Sequence, residues 1–175
     1  MEEGGHQSRG DLEGGVGLTE KSIDGIVDIA AKPIVERRAT ARGRLHLQAA
    51  TKKAIIDHAV KKGDVLEAST IAAIQAVKET PRIVPHCHPV PLEGTRVHWA
   101  WEGNDLLCTV EVNAHYKTGI EMEALTGVCA GLICAFDMVK SLEKGADGQY
   151  PTAAMSDIEV VELSLIHISE PTRPY

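Results

Sequence analysis

The chain has 175 residues, 43% of them apolar and 25% charged, enough for the core of one ordinary domain and too much for wholesale disorder. Aromatics make up only 3% and the net charge is −7, a poor match to a base-stacking platform or a DNA-coating surface, so no nucleic-acid partner is expected. No uninterrupted apolar run approaches the roughly 18–20 residues that span a bilayer, so no membrane partner is expected either.

Residues 1–24 are acidic, glycine-rich and without period, and read as a flexible tail ahead of a single domain over residues 25–162. From Lys32 to Lys62 the balance inverts. Nine cations (Lys32, Arg37, Arg38, Arg42, Arg44, Lys52, Lys53, Lys61, Lys62) face only Glu36 and Asp57. Such a segment is either a solvated basic face or a receptor for a small, highly anionic ligand. Val35 to Leu47 alternates as a strand does. Thr51 to Lys62 has helical spacing, with Lys61 and Lys62 expected in the last turn and Gly63 as the stop. A second helix is predicted from about Asp64 to Glu79, ended by Thr80-Pro81, because proline biases the residue before it away from helix.

Val97 to Trp101 and Leu106 to Ala114 alternate with period two around Glu102-Gly103-Asn104-Asp105, the signature of a β-hairpin. Thr118 and Glu121 have capping-box spacing before a long apolar helix running to about Lys144, with Gly145 closing it. Ile158 and Val160 mark a last short strand. The order β-αα-β-β-α-β predicts an α+β fold, a ferredoxin-like antiparallel sheet with helices packed on one face. After Glu162 the run LSLIHISEPTRPY continues no predicted element and looks like translated vector or adaptor sequence, so residues 163–175 are expected to be a non-native tail. Cys87, Cys108, Cys129 and Cys134 form no CxxC pair, which suits reduced thiols in a cytoplasmic protein.

Four clusters could carry chemistry. Pro85-His86-Cys87-His88-Pro89 confines a thiol and two imidazoles between prolines. The H-x-H spacing also suits a metal pair, so a metal-dependent hydrolase on His86 and His88 is the alternative to a substrate-contacting loop. Lys61 and Lys62 lie close to other cations, and one of the two is a candidate for the lowered pKa that lets a lysine trade protons near neutrality. Asp137 and Lys140 share a helix face inside an otherwise apolar stretch, where a surface ion pair is the bland reading and pKa tuning in a cleft the sharper one. Lys117-Thr118-Gly119-Ile120-Glu121-Met122-Glu123 opens the same helix, and Glu121 and Glu123 suit N–H donors such as a guanine edge. Glu121 and Asp137 are about 24 Å apart along a continuous helix at about 1.5 Å per residue, so one nucleotide-sized ligand cannot reach both within one chain. That separation favours an oligomer.

Taken in order, these motifs resemble the MoaC family of cyclic pyranopterin monophosphate synthases. The likeness runs from about Ile26 to Glu162 and rests on Val27-Asp28-Ile29 with Lys32, Arg37-x-Ala39-x-Ala41, Lys62-Gly63-Asp64-Val65, Ile71-Ala72-x-Ile74-Gln75-Ala76, Pro85-x-Cys87-His88-Pro89, the run Lys117 to Leu125, and Asp137-Met138-x-Lys140. The resemblance implies a lyase of molybdenum-cofactor biosynthesis, acting on a cyclised GTP derivative, and a hexamer built as a trimer of dimers; no cofactor and no metal-ligating residue is expected. It further implies Asp137, Lys62 and Lys140 as catalytic groups. As substrate contacts it implies His86, Cys87, His88, Met122, Glu123 and the adjacent Glu121, with Arg37 and Lys117 as phosphate ligands. A non-catalytic nucleotide-binding oligomer is the remaining rival, and would bind without releasing pyrophosphate.

Overall fold

A computed structural model describes residues 25–166; the expected tail at 1–24 and residues 167–175 lie outside the described residues. The elements run β1 (Val35–His46), α1 (Ala49–Ile56), α2 (Val65–Ile83), β2 (Gly94–Glu102), β3 (Asp105–Tyr116), α3 (Glu121–Glu143) and β4 (Ala154–Ile166). The strands form one antiparallel sheet in the order β2-β3-β1-β4, the ferredoxin-like arrangement the element order predicts. β2 and β3 meet through the two-residue loop Gly103-Asn104, with Glu102 opposite Asp105. Gly103 has φ of 59°, a value glycine reaches at no steric cost.

Alternate β1 residues Ala39, Ala41 and Leu45 are buried together with Leu106, Cys108, Val110, Val112 and Ala114 of β3. Against this face lies α3, through Ala124, Val128, Leu132, Ala135 and Val139. Gly43 permits that approach: a methyl group there would stand 2.7 Å from Val128 Cγ1 and 2.9 Å from Leu132 Cδ1. On the helix, a Cβ at Gly127 would stand 2.7 Å from Val77 Cγ2 of α2. By length and apolarity α3 would pass for a membrane span, which the search for an unbroken apolar run overlooks; half of its apolar window is buried in the domain.

Four local expectations are corrected. First, α1 ends at Ile56 rather than Lys62. Asp57 caps it, His58 takes φ of 52°, and the His58 and Ala59 N–H groups donate to the Ile55 and Ala54 carbonyls, a Schellman closure that no glycine announces. Lys61 and Lys62 therefore sit in the following loop. Second, α2 continues through Pro81 to Ile83. The Thr80 hydroxyl donates to the Ala76 and Val77 carbonyls, each at 3.1 Å, and so supplies Val77 with the donor that Pro81 lacks.

Third, Ile120 rather than Thr118 is the N-cap of α3, with no side-chain cap bond. The helix begins at Glu121, so the spacing Thr118–Glu121 forms no capping box, and Glu121 and Glu123 instead place their charge in the first turn. Fourth, β4 is not short. It follows β1 through two register shifts as far as Ile166, and the ladder on β1 gives residues 163–166 a structural partner where the sequence suggested none.

At the far end of α3, Glu143 is fully buried and its Oε1 accepts from the Gln48 N–H at 2.9 Å, placing a carboxylate at the N-terminus of α1. This ties the end of α3 to the helix that leads into the Lys62 loop. The tight seat of α3 is directly testable: Gly43→Ala should cost about 1–3 kcal/mol by overpacking, read as a lower urea midpoint at unchanged slope.

Candidate active site

Two groups of polar side chains occupy opposite ends of α3. At the C-terminal end, Lys62 Nζ donates to Asp137 Oδ2 at 2.6 Å and to the Asp137 carbonyl at 2.9 Å. Lys140 Nζ, one turn along the helix, lies 2.7 Å from Asp137 Oδ1. One carboxylate thus holds two ammonium groups, and all three side chains are about half exposed to solvent. Hydrogen bonds from Lys140 and then Lys62 lower the Asp137 pKa to about 2. The same contact raises Lys140. The nearest charge to Lys140 is the Asp137 carboxylate, which favours the ammonium form. Near neutrality Lys140 is an ammonium that can donate a proton or neutralise developing negative charge.

At the N-terminal end lies a cleft of about 270 Å³ lined by His86, Cys87, His88, Glu121, Met122 and Glu123. Here the Pro-flanked loop after α2 meets the first turn of α3. Glu123 is 3% exposed, and its carboxyl is pushed up by burial, partly opposed by a backbone hydrogen bond, with Glu121 adding repulsion. Burial, followed by the negative potential of Glu123 and Glu121, likewise raises the Cys87 thiol. Glu121 Oε2 is shielded from solvent and has no hydrogen-bond partner among the described residues, an acceptor suited to a ligand N–H or O–H.

Val27, Ile29, Lys32, Val90, Thr118 and Gly119 complete the lining. Sequence reasoning did not assign these residues to the site. Lys32 and the Val27-Asp28-Ile29 run were visible as a motif, but nothing in their spacing pointed to the cleft. Of the two expected phosphate ligands, neither lines it. Arg37 donates from Nε to the Tyr116 carbonyl at 3.3 Å, and Lys117 from Nζ to the Ala30 carbonyl at 2.7 Å.

The wider basic segment is not one bare anion receptor. Arg38 pairs with Glu36, Arg42 with Glu159, Lys53 with Asp57, and Arg44 with Glu102, Asp105 and Asp157. Lys52 lies over the Trp101 ring. A larger hollow of about 560 Å³, rimmed by Arg38, Arg96, Glu111 and Glu162, contains none of the candidate residues.

His86 and His88 both turn a ring nitrogen toward the segment before β1. Each spends a ring nitrogen on a backbone carbonyl, of Gly25 and Val27 respectively. Among the described residues, no three His, Cys, Asp or Glu side chains converge as a metal site requires.

An α+β domain with paired ammonium groups on a carboxylate, and a separate acidic and imidazole-lined cleft, has the equipment for acid–base chemistry on a small polar molecule. Residues 26–165 match the model of the MoaC family, and the chain belongs to that family. It is 46% identical over 145 residues to a Pyrococcus abyssi protein named probable cyclic pyranopterin monophosphate synthase, covering 83% of this chain and 91% of that protein. Identity is 43% over 156 residues to the Pyrococcus horikoshii protein of the same name, covering 88% and 98% of the two chains. To the one from Methanoregula boonei it is 48% over 137 residues, covering 78% and 88%.

The Asp137 cluster predicts a pH signature. Because the folded pKa of about 2 lies below the ordinary 3.8, the ion pairs contribute fully at higher pH and are lost as pH falls through that window. The side-chain carboxyl signal of Asp137 should titrate near 2. In Lys140→Ala the midpoint should move up toward the ordinary aspartate value; an unmoved midpoint would refute the pairing.

Proposed function

We propose that this chain is a cyclic pyranopterin monophosphate synthase, a lyase that converts (8S)-3′,8-cyclo-7,8-dihydroguanosine 5′-triphosphate to cyclic pyranopterin monophosphate and pyrophosphate. The observation that carries the reading is the Lys62–Asp137–Lys140 cluster, set on a domain of the matching family. Family membership and the names of the relatives support this activity and lend nothing to a hydrolase built on His86 and His88.

The chemistry explains why such a cluster is needed. Forming a cyclic monophosphate joins a substrate hydroxyl oxygen to the α-phosphorus and breaks the bond to the departing pyrophosphate. The hydroxyl proton must leave, and negative charge accumulates on the leaving group. Lys140 suits the second task as a standing cation. Lys62 can exchange its contact with Asp137 for a substrate oxygen. Asp137 is read as the group that aims both ammonium groups until substrate arrives. In the cleft, Glu121 and Glu123 would accept from the base, with His86, Cys87, His88 and Met122 as neighbours. Arg37 and Lys117 remain proposals as phosphate ligands reached after rearrangement.

A single ligand of nucleotide size would need both groups, yet α3 runs unbroken between them. The proposed site is therefore shared. The C-terminal cluster of one protomer faces the cleft of a neighbour, within a hexamer arranged as a trimer of dimers. Its four free cysteines support a cytoplasmic location.

Two experiments check this. Lys62→Ala and Lys140→Ala should each reduce pyrophosphate release from the cyclised GTP substrate by at least about 10²-fold, the scale of a lost acid–base group, while substrate still binds. Mixing Lys140→Ala with Glu123→Ala protomers under subunit exchange should restore part of the activity, because some interfaces then carry two intact halves. No recovery despite verified exchange would exclude the shared site, and wild-type turnover in either lysine variant would remove its role.

A further inference from the structure

The Val27-Asp28-Ile29 motif lies on the segment that leads into β1. Residues 25–32 pass along the cleft, where Val27, Ile29 and Lys32 form part of the wall. Two local hydrogen bonds shape the segment. The Ala30 N–H donates to Asp28 Oδ1 at 2.8 Å, an Asx turn, and the Lys32 N–H donates to the Ile29 carbonyl at 3.1 Å. With the chain so bent, three of its carbonyls accept from side chains, two of them histidines that line the cleft. His86 Nδ1–H donates to Gly25, His88 Nε2–H to Val27 at 2.7 Å, and Lys117 Nζ to Ala30 at 2.7 Å.

A carbonyl oxygen only accepts, so these contacts fix where the imidazole hydrogens sit. In the neutral rings, His88 carries its hydrogen on Nε2 and offers Nδ1 as an acceptor, whereas His86 carries it on Nδ1 and offers Nε2. Two histidines two residues apart thus have opposite tautomers, set by one strip of backbone.

We propose that the Gly25–Lys32 segment is a built part of the substrate site, a strap that sets the tautomers of His86 and His88 and anchors Lys117, with Asp28 as its positioning residue. Asp28 acts by accepting one backbone hydrogen bond; its charge is not required. The word substrate here rests on the synthase reading above, whereas the tautomer assignment stands on the hydrogen bonds alone.

The test compares Asp28→Ala with Asp28→Asn in the full-length protein. Asparagine keeps the Oδ1 acceptor and favours the same turn; alanine removes it. Nitrogen-15 NMR of the ring nitrogens should show His88 as the Nε2–H tautomer in wild type and Asp28→Asn, and averaged between tautomers in Asp28→Ala. With the cyclised GTP substrate, Asp28→Ala should raise KM by about tenfold, the effect of roughly one lost hydrogen bond to a charged or polar partner, with kcat within about twofold. Asp28→Asn should match wild type in both constants and in unfolding midpoint. The proposal is overturned if Asp28→Ala keeps the His88 tautomer and wild-type KM. It is also overturned if Asp28→Asn fails as badly as alanine, because Asp28 would then act by charge. If wild-type protein releases no pyrophosphate, the synthase reading has failed, and the NMR comparison still decides the strap.

Discussion

Everything in this molecule hangs on how closely α3 is seated. The missing side chain at Gly43 lets Val128 and Leu132 settle onto β1, and the one missing at Gly127 brings Val77 of α2 against the same helix. A 23-residue helix held at several points along its length behaves as a rod. Its two ends therefore keep a fixed separation, which is the premise of the proposed shared site. Packing in the core and the case for a shared site have the same cause.

The electrostatics divide along that rod. At one end two lysines share one aspartate in the open, so the carboxylate stays ionised and Lys140 stays charged. At the other, Glu123 is sealed under the first turn of the helix, and burial makes ionisation of the surrounding groups harder. One half of the proposed site offers standing positive charge. The other offers acceptors and neutral groups in a poorly solvated cleft. A triphosphorylated purine derivative is itself divided in this way, with a highly anionic tail and a hydrogen-bonding base.

Much of this was legible in the sequence. Period-two alternation around Gly103-Asn104 located the hairpin, and the element order implied one antiparallel sheet of ferredoxin-like kind. The sixteen-residue interval from Glu121 to Asp137 already carried the argument for two half-sites. The misreadings share one origin, a local signal overruled by a partner elsewhere. Pro81 should have ended α2, but the Thr80 hydroxyl supplies the missing donor. His58 closes α1 in a conformation usually left to glycine, which moves Lys62 onto a loop facing Asp137. β4 runs past Glu162 because β1 is there to receive it. The strap was least legible of all, since its contacts are made by main-chain carbonyls, which every residue possesses.

The environment of Cys87 has one more consequence. Oxidants and alkylating electrophiles attack thiolate, and a sulfur whose proton is held by burial and two neighbouring carboxylates presents little of it. The cleft thus holds a soft, polarisable atom in its protonated form, the form least open to such attack.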